Sequence, residues 1–122
     1  MVELIGILEP GWDHKLENRV WRQLAGAYGA RLTLVHRDYE TMEEALEASS
    51  YPLVFVVPPG RTDSIEFTDL PAQEDTSYVF GNVNDSLVSY IDEESTVVHL
   101  TTPTKCDMFA ISVAGTVLYE HR

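Results

Sequence analysis

The sequence predicts an α/β fold: a mostly parallel, five-stranded sheet with helices on both faces. Three observations lead there. Short runs rich in Val, Ile and Leu recur at residues 2–8, 31–35, 52–57, 78–80 and 96–100, and strands apolar on both sides suit a sheet covered on both faces. The early runs are separated by stretches carrying helix signals, and strands alternating with helices imply parallel neighbours joined by right-handed crossovers. A chain of 122 residues, 44% hydrophobic, can bury one core without staples, so residues 1–122 are read as a single domain.

The first strand, 2–8, is apolar on both faces after Glu3 and ends at Pro10-Gly11. Asp13 then supplies an N-cap for a helix to Tyr28, and Gly29 stands where a left-handed C-terminal residue is wanted. On that helix Leu16, Val20, Leu24 and Ala27 share one face, which should be the buried one. Lys15, Arg19 and Arg22 form a second stripe at spacing i, i+4, i+7. In the next strand, 31–35, Leu32 and Leu34 point one way and Thr33 and Val35 the other. Thr41-Met42-Glu43-Glu44 is a capping-box pattern opening a helix to about Ala48, with Glu43, Glu44 and Glu47 on a solvated face. After the strand at 52–57, residues 58–76 show no period, so they form a functional loop or hide a short element. Tyr78, Val79 and Phe80 make a strand turning at Gly81-Asn82, followed by a short helix through Leu87 and Tyr90, the strand 96–100 and a polar turn at 101–105. A last helix contains Met108, Phe109, Ala110, Ile111, Val113, Ala114, Val117 and Leu118, apolar nearly all round, and should be buried.

Composition narrows the function classes. A single cysteine, Cys106, rules out an internal disulfide framework and suits a reducing compartment. The four histidines lie at 14, 36, 99 and 121 with no close pair, so no metal site is expected. Residues 2–8 lack the basic start of a signal peptide, and no run is long enough to span a bilayer. The chain is therefore expected to be cytoplasmic, with no membrane association. Net charge is −12, which disfavours non-specific nucleic-acid binding. Its distribution is uneven: 14 acids and one base, Arg61, lie between Asp38 and Glu94, whereas five of the eight Lys and Arg fall between Lys15 and Arg37. The acidic stretch reads as a solvated surface.

Four constellations could carry chemistry, and each has a plain structural reading beside it. Gly81-Asn82 at a strand end lets backbone approach a ligand, or simply makes a tight turn. Leu100-Thr101-Thr102-Pro103 runs from a strand into a hydroxyl-rich turn whose backbone could hold an adenine edge or a carboxylate, or only cap the next helix. The segment 107–114 opens the last helix and reads first as core. The stripe Lys15, Arg19 and Arg22 could grip phosphate, or be a solvated helix face that offsets Asp13 and Glu17.

The order of elements from Tyr78 to His121 resembles the C-terminal half of the SPOUT family, α/β trefoil-knot RNA methyltransferases, in the branch that methylates ribose 2'-hydroxyls. The resemblance implies a C-terminal trefoil knot, with the last helix threaded through a loop of which 58–76 forms part. It implies S-adenosylmethionine as cofactor, surrounded by Val57, Pro58, Gly81, Asn82, Leu100, Thr101, Thr102 and Phe109. It implies tRNA or rRNA as substrate, with Arg22 and Asn18 near the places of the branch's catalytic arginine and asparagine, and Lys15, Arg19 and Arg22 as RNA contacts. Counted back from Gly29, those two places fall on Gln23 and Glu17. Val83 and Ala110 stand where the family carries a glutamate and an asparagine. A homodimer is implied, formed through the first and last helices, for which Trp12, Trp21 and Tyr28 are available unless they are core.

The expected function is thus S-adenosylmethionine-dependent 2'-O-ribose methylation of RNA. The alternative is a catalytically silent SPOUT-like dimer that binds RNA or a protein partner. A doubly wound nucleotide-binding module without a knot is a third reading, weakened because Pro10-Gly11-Trp12 is a poor glycine-rich phosphate turn.

Overall fold

A computed structural model describes residues 1–60, 63–71, 73–82, 86–104 and 108–121. Among these residues six strands, all parallel, form one sheet: β1 (Val2–Ile7), β2 (Arg31–Val35), β3 (Leu53–Val56), β4 (Ile65–Glu66), β5 (Thr76–Phe80) and β6 (Thr96–His99), in the spatial order β2-β1-β5-β3-β6-β4. The helices are α1 (His14–Tyr28), α2 (Met42–Glu47) and α3 (Ala110–Glu120). The expected count of five is corrected by β4. Two residues long, it lies in the stretch without period and leads into a single 3-10 turn, Phe67–Asp69, pinned by buried Phe67. Two residues carry no alternation, which is why the pattern missed it. The short helix expected around Leu87 is likewise a 3-10 turn, Val88–Tyr90.

The period of two along the strands divides the interior into two cores, one on each face of the sheet. Leu4, Leu34, Val54, Val56, Tyr78, Phe80 and Val98 pack under Trp21 and Ala25 of α1 and Ala114, Val117 and Leu118 of α3. On the other face Ile5, Ile7, Val35, Phe55, Val79 and Val97 pack under Met42 and Ala45 of α2 and under Leu87. Gly6 belongs to the first face: a Cβ there would sit 3.0 Å from the Trp21 ring and 3.3 Å from Leu34. Glycine is what lets the indole lie directly on β1.

The capping signals hold. Asp13 accepts the amides of Lys15 and Leu16, Gly29 takes the left-handed conformation at φ 66°, and Thr41 accepts the amide of Glu44. The buried face of α1, however, is Glu17, Trp21 and Ala25 rather than the Leu16 stripe. Leu16 is 56% exposed and Val20 37%, and Ala27 is exposed too, while Leu24 is half-buried. The reason is that a buried tryptophan and a hydrogen-bonded glutamate replace the aliphatic face. Glu17 accepts the Glu9 amide at 2.7 Å and the Trp21 indole N–H at 3.4 Å. Trp21 is therefore core, whereas Trp12 and Tyr28 are exposed. α3 also departs from full burial. Ala114, Val117 and Leu118 are buried, but Ser112, Thr116 and Tyr119 face outward, and Met108 and Phe109 precede the helix in exposed positions.

Polar groups tie the strand ends. Glu3, buried, accepts the Ser77 hydroxyl at 2.8 Å, the Thr33 hydroxyl at 3.1 Å and the Ser50 amide at 3.1 Å, joining β1, β2, β5 and the approach to β3. At the β2 edge, the amide of Leu34 donates to the Asp38 carboxylate at 2.9 Å. Burial works to raise the pKa of Asp38, but its bonds to Arg37 and Leu34 outweigh that and hold it below the ordinary value.

Candidate functional site

Because β5, β3 and β6 are neighbours in a parallel sheet, their carboxyl ends open side by side. In open α/β sheets ligands collect at that edge. The last registered pairs are Val56 with Phe80, Val56 with Val98, and Glu66 with His99. Val57-Pro58, Gly81-Asn82 and Leu100-Thr101-Thr102 thus lie just past the ladder on adjacent strands. Val57 is buried and its amide still donates to Val98 at 2.9 Å, whereas Pro58 and Thr101 are exposed and Gly81, Asn82, Leu100 and Thr102 are half-buried. The Asn82 amide donates to the Leu8 carbonyl at 3.4 Å, linking the end of β5 to the end of β1.

Phe109 caps α3 from outside the helix, 54% exposed, and meets Trp12 edge to face at 4.9 Å. Together with Leu16, Val20 and Ile111 these rings line a groove of about 350 Å³ between α1 and α3, with Asp13, Glu17 and Ser112 also on its wall. Lys15, Arg19 and Arg22 are all exposed on α1. Asn18 is half-buried, and its side-chain oxygen accepts from the Arg37 guanidinium at 2.8 Å, beyond the end of edge strand β2. Val83, Cys106 and Asp107 lie outside the described residues.

A polar cluster at the β6 to β4 edge contains Thr101, named in the sequence analysis, with partners that were not expected there. The Glu66 carboxylate accepts the Thr101 amide at 3.3 Å and the Thr101 hydroxyl at 2.5 Å, and His99 Nε2 stands 3.3 Å from the same oxygen that takes the hydroxyl. His99 Nδ1 is 2.9 Å from the Ser64 hydroxyl. With its proton on Nε2 the imidazole donates to Glu66 and accepts from Ser64. The Thr101 hydroxyl bond is the largest influence on Glu66, and with the Thr101 amide and, when His99 is protonated, its charge, it holds the carboxyl below its ordinary pKa against the opposing effect of burial. A glutamate in the middle of a patternless stretch gives no sequence signal. The histidine closing a strand was the one visible clue.

In the central strand β5, the hydroxyl of buried Tyr78 is 2.6 Å from His121 Nδ1, just past α3. Burial pushes the Tyr78 hydroxyl up to about 12, with its bond to Thr76 opposing. Burial and then the N-terminal charge hold His121 below its ordinary value. Among the described residues no group of three or more His, Cys, Asp or Glu is gathered as a metal site, and no helix is long and apolar enough to cross a membrane.

The fold superposes on solved structures. One, from work on the 2-OH methylation of C/U34 on tRNA, superposes with a TM-score of 0.74 at 11% identity, over 98% of this chain and 88% of that one. A second, a Bacillus anthracis protein provisionally assigned as an RNA methyltransferase, superposes with a TM-score of 0.72 at 14% identity, over 99% of this chain and 92% of that one. At these identities the likeness is one of fold. No family model and no curated protein matches the sequence.

Proposed function

We propose that the protein is an S-adenosylmethionine-dependent RNA methyltransferase acting on a ribose 2'-hydroxyl of tRNA or rRNA, a minimal SPOUT-like domain with a C-terminal trefoil knot. The observation that carries the reading is the alignment of Val57-Pro58, Gly81-Asn82 and Leu100-Thr101-Thr102 on three adjacent strand ends, in a fold shared nearly end to end with structures linked to RNA methylation.

The residues present fit the cofactor. Past the ladder, the backbone of 100–102 offers polar groups, of which the Thr101 amide is already held by Glu66, Leu100 offers an apolar wall, and a half-buried glycine at 81 lets the chain come close. When bound, the cofactor supplies a methyl group on a sulfonium, an electrophile for the ribose oxygen. The chain's part is to hold the hydroxyl in line and accept its proton. Arg22, exposed on α1 with Lys15 and Arg19, would bind phosphate and orient the ribose. Asn18 would assist only after leaving Arg37. Phe109 would reach the cofactor from the start of α3.

A homodimer completes this reading. Trp12, Leu16, Val20 and Phe109 are 39, 56, 37 and 54% exposed around the groove between α1 and α3, and an apolar patch of that kind marks an interaction surface. The silent alternative draws on Ala110 and on the engagement of Asn18 by Arg37.

Calorimetric titration with S-adenosylmethionine and S-adenosylhomocysteine tests the first step. Binding on the order of micromolar, about one site per chain, supports the reading; no heat with either defeats it. Methyl transfer to tRNA or rRNA separates enzyme from silent binder. Arg22→Ala is expected to abolish transfer while leaving cofactor binding intact, and an undiminished rate removes Arg22 from the mechanism.

A further inference from the structure

We infer that Glu66 is a positioning residue for the loop at 100–102, holding Thr101 so that the backbone past β6 is set before the methyl donor arrives. The inference rests on the cofactor reading above and adds to it a residue from another strand. Three features of the geometry carry it.

The first is delivery. β4 is only two residues long, and its register sets Glu66 directly beside His99, at the last pair before the loop. The next residue, Phe67, is 6% exposed and meets Tyr78 edge to face at 5.9 Å. The backbone that carries the carboxylate is therefore anchored in the core, while the carboxylate itself lies out at the strand ends.

The second is what the carboxylate holds. It accepts both the amide and the hydroxyl of Thr101, one on each oxygen. Two bonds from one residue fix a backbone orientation and a side-chain rotamer together, and bonds to a charged acceptor are the stronger kind. The third is what holds the carboxylate. His99 Nε2 stands on one of its oxygens, and Ser64 fixes the far side of that imidazole. Glu66 is thus oriented from behind and grips the loop in front. A loop ordered in advance spares the ligand the cost of ordering it.

An edge fastening with no bearing on the ligand would look similar, and binding separates the two. The probe is S-adenosylhomocysteine, titrated into the wild-type chain, Glu66→Ala, Thr101→Val, Thr101→Ser and the Glu66→Ala/Thr101→Val pair, each first confirmed as folded by urea unfolding. Glu66→Ala and Thr101→Val are expected to weaken binding about tenfold, the scale of a hydrogen bond to a charged group. Thr101→Ser, which keeps the hydroxyl, should bind more tightly than Thr101→Val, and the double variant should be no weaker than the worse single one. In the ligand-free protein, Thr101 amide exchange should quicken in Glu66→Ala. If the wild type binds no probe, the cofactor reading falls and this inference with it. Wild-type binding that is matched by Glu66→Ala and Thr101→Val overturns the role of Glu66 alone, as does Thr101→Ser behaving like Thr101→Val.

Discussion

Gly6→Ala tests the packing that sets α1 on the sheet. The added methyl would lie 3.0 and 3.1 Å from two carbons of the Trp21 ring and 3.3 Å from a Leu34 methyl. Carbon atoms pack best at roughly 3.5–4.0 Å, so the indole must retreat by about half an ångström. It has little room to do so. Trp21 is fully buried, and its N–H is bonded to Glu17, which in turn holds the Glu9 amide at the end of β1. Overpacking of this kind costs about 1–3 kcal/mol. Against it stands the loss of chain entropy in the unfolded state, which favours alanine by about 0.4–1 kcal/mol. The net expectation is a destabilisation of about 1–2 kcal/mol, or a Tm lower by roughly 3–10 °C. Urea unfolding followed by tryptophan fluorescence would show it as a lower midpoint at unchanged slope. In a Trp21→Phe background the same substitution should cost less by about 0.5 kcal/mol or more, because the smaller ring leaves the space. A Gly6→Ala protein as stable as the wild type would refute the claim that glycine is required for the indole's seat.

Other expectations can be checked alongside. Glu3→Ala removes the acceptor of three hydrogen bonds that join the amino ends of β1, β2 and β5, and should cost about 2–4 kcal/mol in urea unfolding. Thr41→Ala removes the α2 N-cap and should cost about 1 kcal/mol by the same measure. His121 has its folded pKa held below the unfolded value, so the unfolded chain binds the extra proton first. Its contribution is complete above about pH 6.5 and is lost as the pH falls through the folded value; His121→Gln should flatten that part of the stability profile. Leu16→Asp places a charge in the exposed groove, and if the proposed dimer forms there, sedimentation should show monomer with unfolding unchanged.

Much of the fold was legible in the sequence because the strong signals were local. Asp13, Gly29 and Thr41 act through their own backbone neighbours, and each performs as its position foretold. The alternation of Leu32 and Leu34 against Val35 likewise sorts the two cores. What failed was long-range. A stripe of leucine and valine on α1 suggested the buried face, yet Glu17 is buried because its partners are Trp21 and the Glu9 amide, a pairing set by how β1 meets α1. Glu66 was unreadable for the same reason: its meaning comes from residues 99 and 101, more than thirty positions away, across a parallel strand pair. The strand ends proposed to hold the cofactor could be named from family likeness, since backbone there follows element order. Which side chains serve them depends on contacts that element order does not encode.

The two margins of the sheet bear on how this chain behaves when crowded. Six parallel strands rich in Val and Ile would invite neighbouring chains to add on at an open flank. On the β2 flank the Leu34 amide is already taken by Asp38, and on the other flank β4 extends for only two residues. Both flanks are poor templates for strand addition. Copies of the chain are thereby kept from growing as ribbons, and Asp38→Ala should bring a tendency to aggregate on warming that light scattering would detect well before the loss of helix.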